Sequence, residues 1–140
     1  MNNLSLFACL VLVVSFLFAG CGGNKVLKDG VYTGLSGADD RGAWGEVVIT
    51  VEGGRVAGCE FVTLQKDGSA KDGDYGKING VISNQDFYNK AQFAVNAASQ
   101  YARTFEETGD LKSVDAVSGA TIAYNQFTEA VEAALEKARK

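Results

Sequence analysis

The feature that most restricts the possible folds is a pair of strand-like runs joined by two glycines. In the first run, Glu46–Glu52, apolar residues recur at every second position, which is the period of a half-buried strand. Gly53 and Gly54 follow, and glycine tolerates the positive φ that both central residues of a two-residue hairpin turn require. The sequence therefore predicts that a return strand, Arg55–Leu64, pairs antiparallel with the first run and carries a bulge at Gly58.

Weaker signals on either side complete an α+β fold. Val31–Gly34 follows a turn signal and is predicted to be a first short strand. Apolar residues at spacings of three and four predict one helix from Gln85 or Asp86 to Thr108, ended by Gly109, and a second from Ile122 to Arg139. We expect a single domain in which a small, largely antiparallel, curved sheet packs against these two main helices. The predicted inner faces are Ala91, Ala94, Val95, Ala98, Ala102 and Phe105 on the first helix and Phe127, Ala130, Val131, Ala134, Leu135 and Ala138 on the second.

The N-terminus has the pattern of a targeting segment. Leu4–Ala19 is almost wholly apolar, and its length of about 16 residues is short for a bilayer span of about 20 but suits a signal peptide. Leu17–Cys21 resembles the cleavage box of a lipoprotein signal peptide, although Phe18 stands where leucine is usual and no Lys or Arg precedes the apolar run. We expect a signal peptide at residues 1–20, a lipidated Cys21 and tether at residues 21–28, and a folded domain at residues 29–140. Alternatives are an uncleaved anchor or an ordinary secretory signal.

Composition excludes several classes of function. The formal net charge is −4 and no run of Lys or Arg occurs outside the last helix, so no nucleic-acid partner is expected. The chain has no His, which excludes histidine acid–base chemistry and histidine metal ligands, and no metal site is expected. Cys59 is the one cysteine of the expected domain, and we expect it to be a small buried hydrophobe rather than a reactive thiol.

A short motif precedes the second predicted helix. Asp115–Thr121 reads Asp-Ala-Val-Ser-Gly-Ala-Thr, so that hydroxyl side chains lie beside a helix N-terminus. The N–H groups of a first helical turn carry partial positive charge and hold anions such as phosphate. Ser118 or Thr121 is equally suited to cap the helix. The spacing alone leaves both interpretations open.

The seven residues Asp115–Thr121 match the pattern Asp-x-x-(Ser/Thr)-Gly-Ala-Thr, and the chain therefore resembles the FMN-binding domain family. This family includes flavin-carrying subunits of ion-pumping redox complexes and flavinylated surface lipoproteins. The resemblance implies that a flavin transferase takes FMN from FAD and attaches it through its phosphate to Thr121. Gly119 would then allow close backbone approach, Ala120 would keep that approach uncrowded, and Asp115 would be part of the recognised signal.

The resemblance also gives the aromatic residues and the polar stretch a possible role near the flavin. Trp44 lies between two glycines and is expected either to close one end of a small core or to stack on the isoalloxazine ring, and Tyr32 and Tyr124 have the same two interpretations. Residues 65–85 are rich in Gly, Asp, Lys and Asn, show no period and lack a calcium-loop spacing, which predicts a long loop. We expect it to be a flap near the flavin or a contact surface.

These observations favour a lipid-anchored electron carrier on the extracytoplasmic face of the cell membrane, with covalent FMN on Thr121. Its expected partners are a flavin transferase, membrane lipid through Cys21, and a membrane-bound redox donor such as a quinol-linked or NADH-linked dehydrogenase. No base or nucleophile constellation indicates independent catalysis. Two alternatives are a flavin-dependent reductase of a small acceptor and a non-redox surface lipoprotein that binds a partner through the polar loop.

Overall fold

The computed structural model describes residues 26–139 and contains the predicted α+β arrangement. Three strands form one antiparallel sheet in the order β1-β2-β3, and two long helices pack against it. The elements are β1 (Gly30–Leu35), β2 (Trp44–Glu52), β3 (Arg55–Leu64), α1 (Gln85–Thr108), a short 3₁₀ helix (Leu111–Ser113) and α2 (Thr121–Ala138). The predicted fold class is confirmed, and no boundary differs from the prediction by more than two residues.

The hairpin forms as the two glycines predict. Gly53 and Gly54 have φ values of 59° and 75°, the signs that a tight turn between twisted strands requires. Farther along, Thr50 pairs with Gly58 while Val51 pairs with Val56, so Ala57 is the extra residue of a bulge. The bulge was predicted at Gly58 and lies one position before it, at Ala57.

The core lies between one face of the sheet and the two helices. Val47, Ile49 and Val51 alternate along β2 and are fully buried. All six predicted inner residues of α2 are buried, whereas two of the six on α1, Ala94 and Val95, are only half-buried. Apolar spacing shows which residues share a helix face, but it does not show what covers that face. The part of the α1 face that carries Ala94 and Val95 is not fully covered by the described residues.

Helix α2 lies directly on β1, and Gly34 makes this possible. A Cβ atom at Gly34 would clash with the carbonyl oxygen of Ala130 and lie 2.7 Å from the backbone N of Ala134. The absence of a side chain lets the helix backbone approach the strand closely. This packing fixes the position of the whole helix, including its N-terminal end.

The described part of the predicted tether contacts the domain. The N–H of Lys28 donates to the carbonyl of Ala138 at 2.8 Å, and Leu27 packs against the core. The predicted signal peptide and Cys21 lie outside the described residues. Between residues 26 and 139, neither helix has the length and apolar character that crossing a bilayer requires.

Candidate functional site

The motif folds into a tight turn directly before α2. We call Val117–Ala120 the motif turn: the N–H of Ala120 donates to the carbonyl of Val117 at 2.9 Å, and Gly119 has a φ of 88°. A positive φ at the third residue alone is the geometry of a type II turn, which strongly favours glycine there. The motif glycine is thus explained by backbone conformation.

The N-terminus of α2 has no side-chain cap. Helix α2 begins at Thr121, its N-cap residue is Ala120, and no side chain at that position accepts a hydrogen bond from the first turn. The alternative in which Ser118 or Thr121 caps the helix is therefore wrong. The first-turn N–H groups keep their partial positive charge available for an anion, next to the exposed side chain of Thr121.

A buried tyrosine on α1 forms hydrogen bonds with the backbone of the motif turn. The hydroxyl of Tyr101 on α1 accepts from the N–H of Val117 at 2.9 Å and donates to the carbonyl of Ala120 at 3.5 Å. Only 1% of Tyr101 is exposed, and its ring packs edge-on against Tyr124 at 5.5 Å. The sequence indicated that Tyr101 belongs to the core or its rim, but gave no signal that its hydroxyl supports the motif.

A large cleft of about 1090 Å³ opens beside the motif turn and Thr121. One part of its lining consists of small or flat apolar side chains from β3 and α1, which include the half-buried residues of the α1 face. Such surfaces accommodate the planar body of an aromatic ligand. These apolar residues are Phe61, Ala91, Ala94, Val95 and Ala98.

The polar loop, residues 65–84, borders the same cleft. Lys71, Asp72, Gly73 and Tyr75 contribute to the lining. Burial lowers the pKa of Lys71, whose ammonium lies 5.2 Å from the centre of the Tyr75 ring. The predicted loop is therefore adjacent to the cleft, as expected for a flap.

Gln126 is a cleft-lining residue that the sequence analysis did not single out. Its side chain is 4% exposed, and its Nε2 donates to the carbonyl of Ala43 at 2.9 Å. Its Oε1 is buried without a hydrogen-bond donor among residues 26–139. A buried acceptor without a donor is unusual in a folded protein and calls for an explanation.

The remaining predicted site residues are not all brought to the cleft. Gly119, Ala120 and Thr121 line it, whereas Ser118 and Asp115 are exposed but are not among its lining residues within 26–139. They lie on the accessible side of the motif, where another protein can contact them.

The structure does not bring Trp44 to Thr121. Along β2, Gly45 and Val47 are buried against the helices, so the half-buried Trp44 lies on the opposite face of the sheet, paired with Leu64. Tyr32 donates to the carbonyl of Lys28, at the tether. Neither aromatic residue is among the described residues that line the cleft.

The one described cysteine is not a reactive group. Cys59 is free and buried, as predicted, and its N–H donates to Glu106 at 3.0 Å. Burial, together with the charges of Glu106 and Glu60, raises the pKa of its thiol to about 12. The thiol is therefore protonated at neutral pH and is a poor nucleophile.

Comparison with known proteins identifies the family. The family model described as the FMN-binding domain matches residues 42–136, more than half of the chain. The chain belongs to the FMN-binding domain family. FMN is accordingly the cofactor of this FMN-binding domain.

A solved structure has the same fold as this FMN-binding domain. The crystal structure of the CPE2226 protein from Clostridium perfringens superimposes with a TM-score of 0.59 and 24% sequence identity, over 80% of this chain and 88% of that one. No significant match was found among curated proteins. The structural likeness therefore supports the fold alone.

The residues of the cleft fit FMN. The uncapped first turn of α2 suits a phosphate group, and the apolar part of the lining suits the isoalloxazine ring. The uncapped turn and the apolar lining thus suit different chemical parts of the cofactor.

Proposed function

We propose that this FMN-binding domain is an electron carrier whose FMN is covalently attached through a phosphoester to Thr121. The observation that carries the proposal is the placement of Thr121: its exposed side chain begins α2 at an uncapped helix N-terminus, beside a cleft large enough for the flavin. A flavin transferase would move FMN from FAD to the Thr121 hydroxyl. The phosphoanhydride bond of FAD would break, a phosphoester bond to Oγ would form, and AMP would leave.

Several residues of the motif support presentation to such a transferase. Asp115 and Ser118 are exposed, so an enzyme can contact them without opening the domain. Gly119 has no side chain to obstruct approach, and its left-handed conformation turns the chain into α2. The hydroxyl of Tyr101 holds the turn in this shape from the buried side.

The positions of these residues indicate which role each part of the carrier has. FMN supplies the redox chemistry by taking up and releasing one or two electrons. Thr121 retains the cofactor, the first-turn N–H groups of α2 stabilise the negative charge of the phosphate, and the apolar lining excludes water from one side of the ring. The polar loop, which borders the cleft, is the part of the chain best placed to control access.

We further propose that the carrier is lipid-anchored through Cys21 on the extracytoplasmic face of the cell membrane. The support comes from the sequence: an apolar run of signal-peptide length ends at a lipoprotein-type cleavage box. Several acyl chains would hold the protein at the membrane, since each buried methylene contributes about 0.8 kcal/mol. Confinement there would raise the effective concentration against a membrane-bound redox donor.

Mass measurement tests the attachment. After co-expression with a flavin transferase, the wild type is expected to gain the mass of one FMN, whereas Thr121→Ala gains none. Thr128→Ala is the matched control because Thr128 lies on the same helix and its hydroxyl donates only to the carbonyl of Asn125 among described residues. An unmodified wild type, or a flavin-loaded Thr121→Ala, would contradict the proposal.

Fractionation tests the anchor separately. The wild type is expected in the membrane fraction, and Cys21→Ser in the aqueous extracytoplasmic fraction. Equal membrane retention of both proteins would contradict lipid anchoring without affecting the flavin attachment.

A further inference from the structure

We infer that the ammonium group of Lys71 contacts the pyrimidine edge of the flavin ring and stabilises the negative charge that this edge gains on reduction. This inference rests on the proposed function in that it takes FMN to occupy the cleft beside Thr121. It adds a ring contact to the phosphate contact, and it gives the polar loop a chemical role.

Lys71 is held at the wall of the cleft by its backbone and by its side chain. Its N–H donates to the carbonyl of Thr63 on β3 at 2.8 Å, and its ammonium lies 5.2 Å from the centre of the Tyr75 ring, whose face attracts a cation. The carbonyl of Tyr75 in turn accepts from Nε2 of Gln92 on α1 at 2.9 Å. Thr63, Lys71 and Tyr75 all line the cleft, so the ammonium is available to a ligand there.

The ammonium of Lys71 has no anionic partner in the described chain. Among residues 26–139 it forms no ion pair and donates no hydrogen bond. Burial lowers its pKa, whereas the charge of the Asp39 carboxylate favours the protonated form. Oδ1 of Asp39 already accepts from the N–H groups of Arg41 and Ala43, both at 2.9 Å. A half-buried cation without a bonded counter-ion is favoured by an anionic group that a ligand brings.

The other acids of the cleft lining do not neutralise Lys71. Oε2 of Glu129 accepts from the N–H of Gly37 at 2.9 Å, and Oδ1 of Asp72 accepts from a backbone N–H within the loop at 2.8 Å. Asp40 is exposed and forms no ion pair with Lys71. Two of these carboxylates therefore stabilise backbone turns, and none of them is bonded to the ammonium.

Lys71 also differs from the two other cations of the lining. Arg41 and Lys90 are exposed, whereas Lys71 is half-buried. Water and salt screen an exposed charge more strongly than a partly buried one, so the charge of Lys71 acts most effectively on a ligand.

The apolar lining connects the attachment site with the polar loop. Ala98 lies about one turn before Tyr101, whose hydroxyl bonds to the motif turn. Ala91 lies at the loop, where a Cβ atom added to Gly76 would be 3.0 Å from the Cβ of Ala91. The two alanines are seven residues apart, about 10.5 Å along the axis of α1. A ring that lies on this strip, with its phosphate at Thr121, therefore presents an edge to the polar loop.

The chemistry of reduction selects the pyrimidine edge as the part that Lys71 contacts. Two electrons and one proton enter the flavin, an N–H bond forms at N5, and a negative charge remains over N1 and O2 of the pyrimidine ring. The electrons come from the proposed membrane-bound redox donor or, in vitro, from dithionite. A cation beside this edge stabilises the reduced flavin more than the neutral oxidised flavin. The dimethylbenzene edge is apolar and offers no such partner.

A redox titration of the flavin-loaded protein with dithionite, followed by visible absorption, tests the contact. Lys71→Met removes the charge at nearly unchanged length and should lower the equilibrium constant for two-electron reduction about ten-fold, which is about 30 mV in midpoint potential. Lys71→Arg retains the charge and should keep the wild-type potential.

Lys66→Met is the matched control. It removes the same charge from the same loop, but Lys66 lines a smaller neighbouring cavity and is not among the described residues that line the cleft. Its potential should therefore remain close to that of the wild type. An unchanged potential in Lys71→Met, an equal decrease in Lys71→Arg, or an equal decrease in Lys66→Met would overturn the inference.

A second experiment does not depend on covalent attachment. In a full-length Thr121→Ala background, the dissociation constants of free oxidised and free reduced FMN are measured with and without Lys71→Met. By linkage, Lys71→Met should weaken the binding of reduced FMN relative to oxidised FMN about ten-fold. A ratio that Lys71→Met does not change, or no saturable binding of FMN, would overturn the inference. Failure of attachment to Thr121 in the wild type, by contrast, would contradict only the proposed function.

Discussion

The motif turn and the polar loop border the same cleft, but they are held in different ways. The motif turn lies between the buried residues Val114 and Ala123, and a buried tyrosine hydroxyl bonds to its backbone. The polar loop is attached to α1 by exposed or half-buried polar contacts. Nε2 of Gln92 donates to the carbonyls of Asp72 and Tyr75, both at 2.9 Å, and the hydroxyl of Tyr88 donates to the carbonyl of Gly73 at 3.0 Å.

The difference separates a fixed part of the site from an adaptable part. Buried hydrogen bonds are costly to break because no water replaces the lost partner, whereas exposed ones exchange readily with water. The side that carries Thr121 is therefore expected to keep one geometry, and the side formed by the loop to open locally. The proposed attachment of FMN to Thr121 would benefit from the first property, and access for a redox partner from the second.

The largest expected contrast comes from the same substitution on the two sides. Tyr101→Phe leaves the N–H of Val117 without its buried acceptor and should lower the free energy of unfolding by about 1–3 kcal/mol. Tyr88→Phe removes an exposed hydrogen bond to the carbonyl of Gly73 and should change it by less than about 0.5 kcal/mol. Urea denaturation of both variants measures this. Equal losses would show that the two sides are held alike.

A second contrast uses glycine. Gly119→Ala forces an alanine to a φ of 88° and should cost roughly 1–2 kcal/mol, with lower flavin loading because the motif turn is distorted. Gly73→Ala, in the polar loop, is the control: its φ is not in the left-handed region and no atom lies within 4 Å of the added Cβ. Denaturation and mass measurement give the two results. Normal stability and normal flavin loading of Gly119→Ala would show that the motif turn does not require glycine at this position.

A third prediction concerns the attachment of the polar loop to α1. Gln92→Met removes two hydrogen bonds to loop carbonyls and should increase amide exchange in residues 72–75, with a change in the free energy of unfolding below about 1 kcal/mol. Gln100→Met, at an exposed position of the same helix, should leave exchange in the loop unchanged. Faster exchange at the motif turn in Gln92→Met would mean that the two sides are coupled.

The smallest expected effect is a pH dependence confined to the polar loop. Hydrogen bonds from the hydroxyl and N–H of Ser69 lower the pKa of Asp67 below its usual value of 3.8. This contact therefore stabilises the loop turn above that value and is lost as the pH falls through the lowered pKa. The amide chemical shift of Ser69 should titrate in this range while that of Val117 does not. Asp67→Asn should abolish most of the Ser69 titration, and its persistence would contradict the assignment.

Local patterns were sufficient for the secondary structure, and the motif was sufficient to indicate the family. The alternation in β2, the glycine pair and the helical spacing of α2 predicted elements that the structure contains, because these signals depend on neighbours within a few residues. The same alternation also contained the information that Trp44 faces away from the helices, since Val47, Ile49 and Val51 occupy the inner positions. The interpretation of Trp44 as a flavin contact did not take this alternation of the two sheet faces into account.

The sequence by itself determined an α+β chain with a hydroxyl-bearing motif at a helix start, and the resemblance of that motif indicated FMN. Only the tertiary structure decided what supports the motif and what completes the cleft. Tyr101 reaches Val117 across 16 residues, and Gln126 reaches Ala43 across 83. Such pairings depend on the approach of elements that are distant in the chain, and no local periodicity records which buried hydroxyl or amide will meet which backbone group, or which acceptor will be left without a donor.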